Sequence, residues 1–183
     1  RFWNEAQGYS EAAEAVLGQP GGIAFDVFDA RIAGIARQFE DFRNAEAMGA
    51  VLWGEDAAAL AARAGLEAGA FAATLAGVEA AKRAGATDGF GRAWAGVPAL
   101  TPPFAAVRVT GALFHTQGGL RVDAAARVRR AAGGVIENLF AAGGAACGVS
   151  GPRAAGYLSG NGLLTAVTLG RIAGAGAAAF SRG

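Results

Sequence analysis

The chain has one cysteine, one histidine and one methionine among its 183 residues. Cys147 has no internal partner, so no disulfide staples the fold, and one cysteine with one histidine cannot build a structural zinc site. Cys147 is expected to be a small buried residue rather than a reactive thiol. Charge is scarce as well: 17% of residues are charged, and 16 basic side chains against 15 acidic ones leave a formal net charge of +1. That balance offers no footprint to nucleic acid or to an anionic membrane surface. The chain opens on Arg1 without an initiator methionine or a signal-like segment. It is expected to be a piece of a longer, cytoplasmic protein.

What is plentiful is apolar: 53% of residues are hydrophobic and 30 are glycine. At this length such a composition can bury a core. The run from Gly162 to Phe180 has spanning length, but Arg171, Thr165, Thr168 and several glycines interrupt it. It is expected to be a buried helix, with no membrane span.

Periodicity orders the rest. Ser10 can cap a helix over EAAEAVL that Gly18 to Gly22 end, and Ile23, Phe25 and Val27 alternate as a short strand leading into a helix from Ala30 to Phe39. Met48 to Trp53 is a second strand candidate. Asp56 is placed to cap a helix that Gly65 stops, and a longer helix runs from Ala68 to Arg83 with Phe71, Leu75 and Val78 on one face. From Gly85 to Pro103 glycine, proline and tryptophan appear without period, which predicts a linker and two domains, 1–100 and 101–183. Phe104 to Thr110, Leu120 to Val122, Ala126 to Arg129 and Asn138 to Ala142 then read as strands, and a helix begins at Asn161.

Two glycine-rich stretches stand out chemically. Gly111 to Leu120, GALFHTQGGL, holds the only histidine, His115, beside the hydroxyl of Thr116 and the Gly118-Gly119 pair; Gly143 to Leu164 is the second. Strands feeding Gly-rich turns and then a helix commonly build nucleotide sites.

The H-T-x-G-G-L run from His115, the strand ending Ala141-Ala142-Gly143, the G-x-S-G…G-N-G-L run from Gly148 to Leu163, and the opening Arg1-Phe2-Trp3-Asn4-Glu5 together resemble the fumarate reductase and succinate dehydrogenase flavoprotein family. The resemblance covers nearly the whole chain and implies an α+β capping domain followed by the last strands and helix of a Rossmann-like FAD-binding domain. The G-x-G-x-x-G turn that cradles FAD pyrophosphate does not occur here and would lie upstream, so this segment alone is expected to bind FAD weakly or not at all. Its partners would be the remainder of the FAD-binding domain and a small-molecule substrate.

The resemblance also implies roles. His115 and Thr116 match the residues that hold the substrate, Gly118 and Gly119 a turn bringing backbone close to flavin or substrate, and Gly143 and Gly144 the glycines beside the cofactor. Asn161, Gly162, Leu163 and Leu164 match the start of a helix aimed at the flavin, where free N–H groups favour negative charge. Glu5 matches an acidic residue near the proton path. Three departures bear on the substrate. Gly144 stands where the family commonly has a glutamate, Ala33 stands where fumarate-reducing members have a proton-donating arginine, with Arg31 two positions away, and Arg153, the candidate for the family's catalytic, substrate-clamping arginine, falls early, with Tyr157 or Ser159 as alternatives. A dicarboxylate needs a cationic cage, so the expected activity is FAD-dependent hydride transfer at a C–C bond beside the carbonyl or carboxylate of a less charged, larger substrate. The alternative is a non-catalytic interaction or structural domain derived from such a flavoprotein.

Overall fold

Three strands without a neighbouring partner in sequence meet through the last of them. The computed structural model describes residues 1–113 and 115–182; Phe114, inside the first glycine-rich stretch, lies outside the described residues. These form two units, Arg1–Gly111 and Ala112–Gly183.

In the first unit, helix α1 (Tyr9–Leu17) leads to strand β1 (Ile23–Asp29), helices α2 (Ala30–Ala36) and α3 (Glu40–Ala47), strand β2 (Val51–Gly54), helices α4 (Ala57–Ala64) and α5 (Ala68–Ala84), and strand β3 (Phe104–Thr110). The sheet is antiparallel in the order β1-β3-β2. Ile23 faces Thr110 and Asp29 faces Phe104 on one side of β3, while Val51 faces Val107 on the other. Ala105 and Ala106, at the middle of the sheet, are fully buried, and α4 lays Leu60 and Ala61 into the same core. Small residues let the helix approach closely: a Cβ on Gly54 would sit 2.6 Å from Leu60 Cα.

The capping expected at Asp56 and Gly65 is present, Asp56 accepting from Ala59 N at 2.8 Å and Gly65 adopting a left-handed φ of 67°. Asp29 caps α2 in the same way through Ile32 N, and its other oxygen accepts from Thr101 N at 3.2 Å. That side chain is 1% exposed, so both bonds are made away from solvent.

The segment 85–103 is not a free linker. Trp94 is buried, Thr87 bridges to Ala93, and Leu100 N donates to Glu79. The break between units falls at Gly111, beyond the expected boundary, because β3 pairs with β1 and β2 rather than with the strands after it. The sequence periodicity does not predict helix α3, and the strand expected from Met48 begins at Val51. EDFRNAEA has a single large apolar residue, Phe42, whose ring meets Phe28 at 6.0 Å.

In the second unit, β4 (Arg127–Arg129) and β5 (Val135–Phe140) form an antiparallel hairpin, and Val122 bridges to Val128 beside it. Val128, Ala141 and Ala146 make a small core against which Val122, Ile136 and Leu169 pack. The last helix, α6 (Asn161–Phe180), lies against β5, and Gly176 is close enough to Phe140 that a Cβ there would meet its Cε1 at 2.6 Å. The expectation of a buried helix is corrected: Leu163, Leu164 and Val167 are 78%, 67% and 73% exposed. Only one face of α6 finds packing, since the hairpin beside it is too small to wrap a 20-residue helix. By length and composition alone α6 could cross a membrane, with a mean hydropathy of 1.5, the one such helix among the described residues. Its Leu169 contact and its buried Asn161 tie it to the hairpin unit.

Candidate functional site

A small cleft in the second unit is lined by His115, Thr116, Gln117, Gly143, Gly144, Ala146, Gly148, Val149, Asn161, Gly162 and Thr165. Two backbone stretches are stitched together to make it. Leu120 N donates to Ala145 O at 2.8 Å and Cys147 N donates to Leu120 O at 2.9 Å, an isolated parallel bridge between the two glycine-rich stretches. Gly119 permits that approach, because a Cβ there would lie 2.6 Å from Ala146 O and 2.8 Å from Cys147 N.

The third wall is the start of α6. Gly160, at φ 85°, turns the chain into the helix, and no side chain among the described residues caps it. Asn161 is 6% exposed, yet neither its Oδ1 nor its Nδ2 has a partner among the described residues. The His115 ring lies over Gly162, whose added Cβ would meet Cε1 at 2.7 Å, and the Tyr157 ring approaches His115 edge-on at 6.0 Å. These contacts place the exposed imidazole at the start of α6.

The structure therefore gathers six of the expected site residues, His115, Thr116, Gly143, Gly144, Asn161 and Gly162, around one cleft. Gly118 and Gly119 stand just outside the lining; Thr116 Oγ1 accepts from Gly118 N at 3.2 Å, closing a small turn. Leu163 and Leu164 project from α6 into solvent, and Arg153 is exposed at the entry to the turn 154–156, away from the lining. Tyr157 touches the site through His115, whereas Ser159 is exposed. Cys147, expected to be buried, is exposed, its Sγ donating to Gln117 O at 3.5 Å, because the parallel bridge turns its backbone inward and its side chain out. Gln117, Gly148, Val149 and Thr165 also line the cleft; in the sequence Gln117 was visible only as the unassigned position of the H-T-x-G-G-L run.

Glu5 belongs to the other unit and to an ion-pair network there. Its carboxylate receives Arg1 Nη2 at 2.6 Å and Arg92 Nη1 at 3.0 Å, while Arg1 Nη1 reaches Asp88 at 2.6 Å. Asp88 also accepts from Trp94 Nε1 at 2.7 Å, and the Arg92 guanidinium lies 3.9 Å from the Trp94 ring centroid. Burial alone would raise both carboxyls; hydrogen bonds from Arg1 and Arg92 hold Glu5 below its ordinary value, and those from Trp94 and Arg1 hold Asp88 far below. A carboxylate held this way anchors its arginines rather than storing a proton.

A depressed folded-state pKa stabilises above the unfolded value, about 4 for a carboxyl, and that stability is lost as pH falls through the folded value. The thermal midpoint is accordingly expected to be level from pH 7 to about 5 and to decline below about 4. In Asp88→Asn that acid decline should be shallower; an identical slope in the variant would remove Asp88 from the account. Ala33, where the resemblance would place a proton-donating arginine, is fully buried, and Arg31 turns toward the Asp29 cap at 4.0 Å.

FAD is the cofactor that the fold implies, and the cleft fits part of it. Gly143 and Gly144 leave backbone exposed beside the α6 N-terminus, with no atom within 4 Å of a Cβ placed on Gly144, and the unpartnered Asn161 amide offers both a donor and an acceptor.

Comparison with known proteins agrees with this geometry. A family model describing the FAD binding domain matches residues 1–163. The probable fumarate reductase Ifc3 of Shewanella frigidimarina (strain NCIMB 400) is 31% identical over 178 residues, 97% of this chain and 29% of that protein. The chain thus spans less than a third of that relative. Among solved structures, the open conformation of a flavocytochrome c3 fumarate reductase superposes with a TM-score of 0.72 at 30% identity, covering 97% of this chain and 30% of the other. The 3-ketosteroid-delta4-(5alpha)-dehydrogenase of Rhodococcus jostii RHA1, in complex with 4-androstene-3,17-dione, gives 0.65 at 26% identity, with 97% and 36% covered. With its glycine-built cleft and a family match over most of its length, this chain belongs to the FAD binding domain family of flavoproteins that includes the fumarate reductases.

Proposed function

We propose that the protein of which this chain forms part is an FAD-dependent oxidoreductase that reduces or dehydrogenates a C–C bond next to a carbonyl or carboxylate. The first unit corresponds to the capping domain and the second to the end of the FAD-binding domain. The observation that carries this reading is the meeting of His115 and Thr116 with the uncapped α6 N-terminus and the unpartnered Asn161 amide in one cleft.

When bound, FAD supplies the hydride chemistry. The chain's own part is to hold and polarise. Asn161, Gly162, Gly143 and Gly144 would contact the cofactor, and the free N–H groups of the α6 start favour negative charge there. His115 and Thr116 would donate to the substrate oxygen conjugated with the reacting bond, where charge builds up as the bond is reduced. Glu5 and Arg153 carry no step in this reading. The apolar face of Leu163, Leu164 and Val167 would pack against the rest of the FAD-binding domain.

Support for a less charged substrate comes from the cleft lining, in which His115 is the one titratable side chain among the described residues, and from Ala33. The test is the visible spectrum of the purified full-length protein, followed by reoxidation of its reduced flavin with fumarate or with 4-androstene-3,17-dione. Bound FAD and faster reoxidation by the diketone are expected. Absence of flavin would refute the reading, and rapid reoxidation by fumarate would refute the inference from the missing arginine.

A further inference from the structure

Two buried polar atoms, Gln117 Nε2 and Ser150 Oγ, have no partner among the described residues. Gln117, on the first glycine-rich stretch, is locked to the second: its backbone O accepts from Gly148 N at 2.9 Å and its side-chain Oε1 accepts from Ser150 N at 3.3 Å. Only an oxygen can meet the Ser150 N–H, so the amide is turned with Oε1 toward Ser150 and its NH2 end away. Among the described residues the buried Nε2 has no acceptor and the buried Ser150 Oγ no partner; Gln117 lines the cleft, and Ser150 adjoins it through the bond to Gln117. Room for the amide exists because position 148 is glycine; a Cβ there would run into Gln117 Oε1.

A buried amide NH2 and hydroxyl left unmet are unfavourable in the free protein, and an arriving oxygen would remove that penalty. Neither group is charged, and among the described residues no lysine, arginine, aspartate or glutamate lines the cleft. Neutral donors favour a neutral oxygen over a carboxylate, whose desolvation they do not offset.

We propose that Gln117 Nε2, with Ser150 Oγ beside it, is the specificity-determining anchor for an uncharged oxygen of the substrate, a ketone or hydroxyl. This rests on the reading of the cleft as the substrate end of a flavoprotein site. The residue acts by binding, not by chemistry, so its signature is in affinity.

The test is calorimetric titration of the full-length protein with 4-androstene-3,17-dione and with fumarate, bound flavin being read from absorbance in the same samples. Gln117→Glu keeps an acceptor for Ser150 N while replacing the NH2 donor by an oxygen of nearly equal size. Ser150→Ala keeps the backbone bond and removes only the hydroxyl. Loss of about tenfold in diketone affinity is expected for the first and a few-fold loss for the second, with flavin content unchanged and fumarate the weaker ligand throughout. If Gln117→Glu does not fold, Ser150→Ala alone decides. Unaltered diketone affinity in a folded variant, or fumarate bound more tightly than the diketone by the native protein, overturns the anchor while leaving the flavoprotein reading intact. Diketone affinity that depends on Gln117 in a protein without flavin would instead overturn that reading and keep the anchor.

Discussion

Replacing His115 by alanine in the full-length flavoprotein is expected to lower kcat/KM about a hundredfold, close to 2.7 kcal/mol of transition-state stabilisation, with bound FAD unchanged. The expectation follows from where the ring is held. It lies over Gly162 at the start of α6 and against the edge of Tyr157, and no hydrogen bond to either ring nitrogen occurs among the described residues. The imidazole is exposed at the start of α6, so its polar atoms are open to a ligand. A donor aimed at an oxygen that gains charge during reaction acts on the barrier more than on ground-state binding, so most of the loss should appear in kcat. His115→Gln, which restores an N–H near the same place, should recover part of it. Turnover with the native substrate that survives His115→Ala would take the residue out of the mechanism.

The second large effect is expected at Gly119, with Gly118 as its control. A methyl group on Gly119 would press on the backbone of Ala146 and Cys147, neither of which can rotate away. Relief requires the two stretches to separate, which breaks Leu120 N to Ala145 O and Cys147 N to Leu120 O. Overpacking of this kind with loss of two hydrogen bonds costs about 2–4 kcal/mol, and the thermal midpoint should fall by several degrees with loss of activity. Gly118→Ala meets only Thr116 Oγ1 at 3.5 Å, an ordinary contact, and should be nearly neutral for stability. Equal destabilisation by both substitutions would show that the close approach at Gly119 is not what holds the stretches together. The comparison also separates two reasons for a glycine pair, room for a cofactor and room for the chain's own backbone; for Gly119 the structure supplies the second.

Local patterns were legible and long-range ones were not. Asp56 and Gly65 bracket α4 because a cap and a left-handed stop are written within a few residues of the helix they bound. The start of α6 at Asn161 was equally plain. By contrast, β3 reads as a strand in isolation, but that it lies between β1 and β2 depends on pairings from far away in sequence. The same non-locality hid the burial of Trp94, which made 85–103 look like a linker. For the site, the H-T-x-G-G-L run pointed to His115 and Thr116, yet the variable position inside it, Gln117, acquires its environment from Ser150 across the bridge between stretches. The solvent-facing side of α6 was misread because an apolar run signals a need for burial without saying whether the chain at hand supplies it.

The placing of β3 has a consequence for biogenesis. Among the described residues β1 and β2 pair with no strand but β3, and Thr110 Oγ1 closes the sheet onto Gly22 O, 88 residues back. Until residues 104–110 have left the ribosome, the two earlier strands are unpaired edges, each exposing backbone donors and acceptors to whatever else is nearby. Helices α4 and α5 can coil as they emerge, but the sheet must wait for a long loop to close. A nascent chain stalled before Phe104 is thus expected to be an aggregation-prone species that a chaperone would hold, and release of a few more residues should convert it to a protease-resistant one.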